Sequence, residues 1–362
     1  MIALPPGFSR ATRIGEGAFG TVFRAREDAT GRVVALKRLA KGTSASAEAA
    51  LLARDVSCLP ALHSVVASRG ASWISMEHVH GLPLSSIGPL DLGTAEVESI
   101  AAALGSAVAL LHGAGIPHGD LKPENVILEP DGRVRLLDLG LSRSGSVGGS
   151  TGYAAPEAGS PGADPFRCDL WSLGRILHEL LVGARPGVSE RRSGWVRLEA
   201  AAPSWKPVLQ LLLAEDPSAR PANAAVASFP PVPAWTVAAG ERIRAAADRV
   251  LAGHLARRAE ELVREGEPGE AIVVLQESLD LDPDQSLALD LLGRIRIERR
   301  RPRWPWFAAA SVAIAAMVAG WMLLVRDDAD PSVPVVLEKD RVRLRPDAPP
   351  AVPVPLREGD AR

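Results

Sequence analysis

Two short runs of the 362-residue sequence carry side chains that could act together at one point. They are His118-Gly119-Asp120-Leu121-Lys122-Pro123-Glu124-Asn125 and, a little further on, Asp138-Leu139-Gly140. The Asp120–Asn125 spacing suits a loop that presents a base and a metal ligand to one place. The Asp120 carboxylate can accept a proton from a hydroxyl, and the Lys122 ammonium can neutralise a phosphate. Asn125 and Asp138 offer hard oxygen donors, the kind Mg²⁺ takes while keeping several waters.

Such a loop needs a scaffold and a phosphate cradle. Gly15-Glu16-Gly17-Ala18-Phe19-Gly20-Thr21-Val22 is followed, after a turn at Thr30-Gly31, by Val33-Val34-Ala35-Leu36-Lys37. That order reads as strand, Gly-rich turn, strand, turn, strand. The glycines let backbone amides approach phosphate oxygens with no Cβ in the way. A hairpin in place of a strand-to-helix step argues against a dinucleotide fingerprint. Ser44 to Arg54 reads as a helix, and 65–68 and 71–76 as strands joined at Arg69-Gly70. Val97, Ile100, Ala101, Leu104, Val108 and Leu111 recur at three and four, which predicts an amphipathic helix from Thr94 to His112. Residues 126–128 and 134–137 flank the turn Pro130-Asp131-Gly132 as short strands that position Asn125 and Asp138. Asp169 opens a long apolar helix to Val182.

Together these runs resemble the eukaryotic-like (Hanks-type) protein kinases, and the Lys-Pro-Glu-Asn wording resembles their Ser/Thr branch. The resemblance covers residues 8–229. It implies an α+β, two-lobed protein-kinase fold with a small β-rich lobe and a larger helical one. The activity implied is that of a non-specific serine/threonine protein kinase, with ATP as donor, Mg²⁺ or Mn²⁺ as cofactor and protein Ser/Thr hydroxyls as acceptors. Implied nucleotide contacts are Ile14, Gly15, Glu16, Gly17, Ala18, Phe19, Gly20 and Val22 in the Gly-rich hairpin, with Ala35 and Lys37 on the next strand. Glu48 is the candidate carboxylate to hold Lys37, with Asp55 as fallback. Glu77 and Val79 belong to the implied hinge after Met76. The implied catalytic set is Asp120, Lys122 and Asn125, with Asn125 and Asp138 as metal ligands.

Several residues depart from the family pattern. The segment between Lys37 and Glu48 is short, Gly119 stands where Arg is common, and Leu139 replaces Phe. Ser150 keeps a hydroxyl where the family has a Thr bridging Asp120 and Lys122. Further resemblances make Asp169 a cap for the catalytic-loop backbone and pair Glu157 of Ala155-Pro156-Glu157 with Arg220. The departures keep a rival reading open, a pseudokinase scaffold that binds nucleotide and docks partners. Against it, Lys37, Asp120, Asn125 and Asp138 are all present. A small-molecule phosphotransferase would be expected to lack the Ala-Pro-Glu loop.

The rest of the chain reads by composition. A net charge of −2 supplies no basic field for nucleic acid. Cys58 and Cys168 lack metal-ligand or CxxC spacing, which points to a reduced, cytosolic setting for the part that holds them. The N-terminus has no basic-then-apolar leader pattern, so no cleaved signal is expected. His78 and His80 read as surface histidines. Residues 230–239 form a Pro-rich linker. Residues 240–300 read as helices in which Gly266, Ala271, Leu275, Pro283, Leu289, Leu292 and Gly293 resemble one and a half tetratricopeptide repeats. That is fewer than the roughly three usually needed for a stable core. The expectation is a small adaptor for self-association or partner binding, with a solvated juxtamembrane linker as the alternative. Within 305–325, Trp306 to Val325 carries no charge and is long enough to cross roughly 30 Å of hydrocarbon. Arg294, Arg296, Arg299, Arg300, Arg301 and Arg303 crowd its N-terminal side. The positive-inside rule then predicts a single-pass anchor in the plasma (inner) membrane, with the N-terminal part in the cytoplasm and the Pro-rich tail, 326–362, outside. The Ala-, Arg- and Pro-rich composition looks like that of a high-GC bacterial genome.

Overall fold

The computed structural model describes residues 4–17, 20–40, 45–88, 90–139, 152–183, 197–231, 233–300 and 315–318. Five strands, β1 (Phe8–Gly17), β2 (Gly20–Glu27), β3 (Val33–Leu39), β4 (Leu62–Ser68) and β5 (Ala71–Glu77), pair antiparallel in the order β1-β2-β3-β5-β4. Side chains alternate across a strand, so β3 sends Val34 and Leu36 to one face and Ala35, Lys37 and Leu39 to the other. The first face closes a small core with Phe23, Ala25 and Trp73. The second joins the main core beneath helix α1 (Ala45–Leu52). Gly20 starts β2 at a φ of 140°, and a Cβ there would overlap the Arg38 carbonyl. Only glycine lets the turn of the hairpin sit that close to β3.

The larger lobe is mostly helical, as the resemblance implies. A small sheet of β6 (Leu82–Pro83), β7 (Val126–Leu128) and β8 (Val134–Leu136) meets α2 (Thr94–Gly113) through β8, α2 packs on α3 (Pro165–Val182), and α3 packs on α4 (Lys206–Leu212). On α2, Ile100, Leu104, Val108 and Leu111 are fully buried, as the spacing predicts. Among the described residues α2 is the one helix long and apolar enough to cross a membrane, but more than half of its apolar window is buried, so it is a core helix. Helix α3 begins ahead of Asp169, because Pro165 takes the first helical position and the Asp164 side chain accepts from the Phe166 N–H.

The stretch read as a spacer, 230–239, is docked on the large lobe. Trp235 donates its Nε1–H to the Pro130 carbonyl at 3.0 Å, and Phe229 packs against Gly105 of α2. Two large rings bury well even in a proline-rich stretch. Thr236 then caps α5 (Val237–Arg264), so the helical segment starts before residue 240. Its first half contributes Ile243, Ala246 and Ala247 to the main core. Its second half builds a further core with α6 (Pro268–Leu281) and α7 (Ser286–Arg300), formed by Ala256, Ala259, Leu262, Ala271, Leu275, Ala288, Leu291 and Ile295. Of the repeat-like positions, Ala271 and Leu275 are buried there, whereas Leu289 is half exposed. The expected anchor and tail lie outside the described residues, except 315–318, which are helical.

Candidate active site

The two lobes enclose a cleft of about 720 Å³, a size suited to one small molecule. Its roof is the β1–β2 hairpin, from which Ile14, Gly15, Glu16, Gly17, Gly20 and Val22 line the space. Ala18 and Phe19, between the two strands, lie outside the described residues. Ala35 and Lys37 reach it from β3, Glu77 and Val79 from the connection between the lobes, and Asp120, Lys122, Asn125 and Asp138 from below. The described residues of the hairpin, β3, the hinge and the two catalytic runs therefore meet at one cleft, while Asp55, the fallback for Glu48, does not line it.

Backbone geometry explains how the floor is held. Pro123 opens a single helical turn to Asn125, and Val126 enters β7 directly after it. The Leu137 N–H donates to the Asn125 carbonyl at 2.8 Å, which brings Asp138 beside Asn125. The Asn125 Nδ2 donates to the Asp120 carbonyl at 2.8 Å and lies 3.3 Å from Asp120 Oδ2. Lys122 Nζ sits 2.8 Å from the same carboxylate oxygen. Lys37, with a side chain only 2% exposed, pairs with Asp138 Oδ1 at 2.8 Å. The side chain of Glu48 lies outside the described residues, as does Ser150. Position 48 itself falls on α1.

A second layer supports the loop. The Asp169 carboxylate accepts from the His118 N–H at 2.5 Å and the Gly119 N–H at 2.9 Å. His112 Nε2 lies 3.1 Å from Asp169, while the Ala224 N–H donates to His112 Nδ1 at 3.0 Å. With Nδ1 accepting, Nε2 carries the proton and donates to Asp169. Gly119 adopts a φ of 80°, a conformation glycine takes without steric cost. His118 is fully buried; burial lowers its pKa and keeps the ring neutral, and it accepts from the Asp120 N–H at 3.3 Å. Arg220 forks onto Glu157 at 2.5 and 3.2 Å. Burial raises the Glu157 carboxyl, but the Arg220 hydrogen bonds, a backbone hydrogen bond and the Arg220 charge together hold the pKa below its ordinary value.

Two groups here escaped sequence reading. Arg135 is buried and forks onto Glu77 at 3.2 and 2.5 Å. Partial burial pushes the Glu77 carboxyl up, yet the Arg135 hydrogen bonds, the Ala61 N–H and the Arg135 charge together bring it below the ordinary carboxylate value. The single charge inside Val134-Arg135-Leu136 was the available signal. The other group is on α5, whose Ala247, Val250, Leu251 and His254 also line the cleft. Because α5 lies beside the hinge, His78 is not a plain surface residue, whereas the His80 side chain stays 40% exposed as expected. Burial, aided by Arg24, lowers His78 to about 4, and His80 Nε2 sits 3.2 Å from Asp248 on α5.

Comparison with known proteins adds independent observations. Residues 8–228 match the family described as protein kinase domain. Serine/threonine-protein kinase pkn3 of Myxococcus xanthus is 32% identical over 257 residues, covering 58% of this chain and 47% of that protein. CBL-interacting protein kinase 17 of Oryza sativa subsp. japonica is 34% identical over 206 residues, covering 51% and 45%. Serine/threonine-protein kinase 36 of Pongo abelii is 31% identical over 233 residues, covering 57% and 18%. The chain thus spans less than half the length of each of these relatives.

Proposed function

This chain belongs to the protein kinase domain family, and on that premise we propose that it transfers the γ-phosphoryl group of ATP to Ser or Thr hydroxyls of protein substrates. The convergence of Asp120, Lys122, Asn125 and Asp138 on the cleft that Lys37 enters carries the reading. Asp120 takes the hydroxyl proton as the substrate oxygen attacks the γ-phosphorus, and ADP leaves. Lys122, already 2.8 Å from Asp120, offsets charge on the transferring group. The transition state is loose, so positioning and charge stabilisation supply most of the rate. Lys37 and the hairpin amides orient the triphosphate from above. The Asn125 amide oxygen and the Asp138 carboxylate form an oxygen donor set that suits a hard divalent cation. Mg²⁺ or Mn²⁺ held there would neutralise phosphate charge.

The test is transfer from labelled ATP to a generic protein acceptor by the full chain. Asp120→Asn and Asp138→Asn should each lower it by about 100-fold or more, the range of general-base and electrostatic contributions. Unchanged transfer in both variants would sink the assignment.

The same reading extends to the whole chain. The uncharged run from Trp306 to Val325, with arginines crowded before it, supports a single-pass membrane anchor with the kinase on the cytoplasmic side. The alanine- and arginine-rich composition, together with the similarity to a Myxococcus kinase, supports a bacterial source. Helices α5 to α7, with a core of their own, suit the docking of partner proteins or of a second copy.

A further inference from the structure

The nucleotide cleft has a wall that does not come from the two lobes. Ala247, Val250, Leu251 and His254 stand at i, i+3, i+4 and i+7 on α5, the spacing of one helical stripe, and all four line the cleft. The helix is pinned along its length. Near its start, Arg242 Nη2 donates to both carboxylate oxygens of Glu96 of α2, at 2.7 and 2.6 Å. In its middle, Asp248 meets His80 beside the hinge at 3.2 Å. Beyond that, His254 Nδ1 lies 3.2 Å from the carbonyl of Arg13 on β1. Beside α5, Arg24 of β2 pairs with Glu277 of α6 at 2.7 Å. Between the Asp248 and His254 anchors the stripe presents two branched apolar side chains, and Val250 is 39% exposed.

These anchors set the stripe beside the hinge and beside β1 at Arg13, just ahead of its glycines. A flat, largely apolar group is the chemistry such a surface accepts. We propose that Leu251 and Val250 contact the nucleoside moiety of bound ATP, so that a helix outside the kinase domain forms part of its nucleotide site. The inference rests on the ATP-binding reading given above. It differs from a role in general stability, because the stripe meets one part of the ligand only. Adenosine and ATP share the contact; the phosphates do not.

The experiment is calorimetric titration of the full chain with adenosine and, separately, with ATP. Trimming an aliphatic side chain that touches the ligand should weaken binding by about five-fold for Leu251→Ala and about two-fold for Val250→Ala. The same factor is expected for adenosine as for ATP, and Leu251→Met should restore most of the affinity. Val250 is exposed enough that its truncation leaves the fold intact, which keeps the test valid if Leu251→Ala unfolds. Unaltered affinities in Val250→Ala and a folded Leu251→Ala would overturn the proposal. Tighter binding would also overturn it, by showing that the helix obstructs the cleft. A loss confined to ATP would do the same, by placing the effect at the phosphates. Failure of the unsubstituted chain to bind either ligand would remove the ATP-binding reading itself, and the inference with it.

Discussion

Asp138 has a φ of 54°, and of the four non-glycine residues described with positive φ it alone lines the cleft. Side chains other than glycine leave that region at a gain of roughly 1 kcal/mol or more. Its retention here is consistent with a carboxylate that must be aimed where Lys37 and Asn125 already point. His78 shows a different kind of constraint. Its folded-state pKa is about 4 against an ordinary 6.5, chiefly through burial. The unfolded chain therefore binds the extra proton more readily, and stability falls as pH drops from about 6.5 towards 4. The melting midpoint of the full chain should decline across that window, and His78→Gln should flatten the decline. It should not abolish it, since burial also lowers His118 and His254. Identical slopes for variant and parent would show that His78 is not buried neutral.

Among the elements, α5 is the informative one. Gly240 lies in its first turn, and a Cβ there would overlap the Pro130 carbonyl oxygen. Alanine gains about 1 kcal/mol in helix propensity over glycine, whereas overpacking against backbone costs about 1–3 kcal/mol. Gly240→Ala should therefore lower the melting temperature despite the better helix former, with faster amide exchange along 237–264; a raised melting temperature would contradict the docking. The strands and helices around the cleft were legible because their motifs are contiguous and their periods plain. Asp120, Lys122, Asn125 and Asp138 lie within one hairpin-sized stretch, and local spacing announced them. The contribution of Leu251 was not legible. The partners of α5 on β1 and at the hinge are far away in sequence, and an Ala- and Arg-rich helical pattern is the same whether its apolar stripe meets a cleft or another helix. The seating of 230–239 was not legible for a related reason: proline content predicts stiffness, but Phe229 and Trp235 decide where the stretch is held.

At the scale of the whole molecule, the single-pass anchor proposed above from the uncharged run Trp306 to Val325 carries its own test. The full chain expressed in a bacterial host should sediment with membranes and resist extraction by high salt. Deleting 306–325 should release it to the soluble fraction with phosphoryl transfer retained. A soluble parent chain would remove the anchor. The arginines before this run begin within α7, so the helical segment and the expected membrane surface are close in sequence.

Helix α5 also decides where this polypeptide can be cut. The family match ends at residue 228, the obvious place to trim for a minimal catalytic fragment. A cut there would strip Ile243, Ala246 and Ala247 from the main core and bare the surfaces of α2 and the Pro130 turn beneath them. It would also remove one side of the nucleotide cleft. The smallest unit with all three described cores intact runs to the end of α7, past Ile295. A fragment shortened to the family boundary would be a different molecule, and its weak activity or insolubility would say little about the parent.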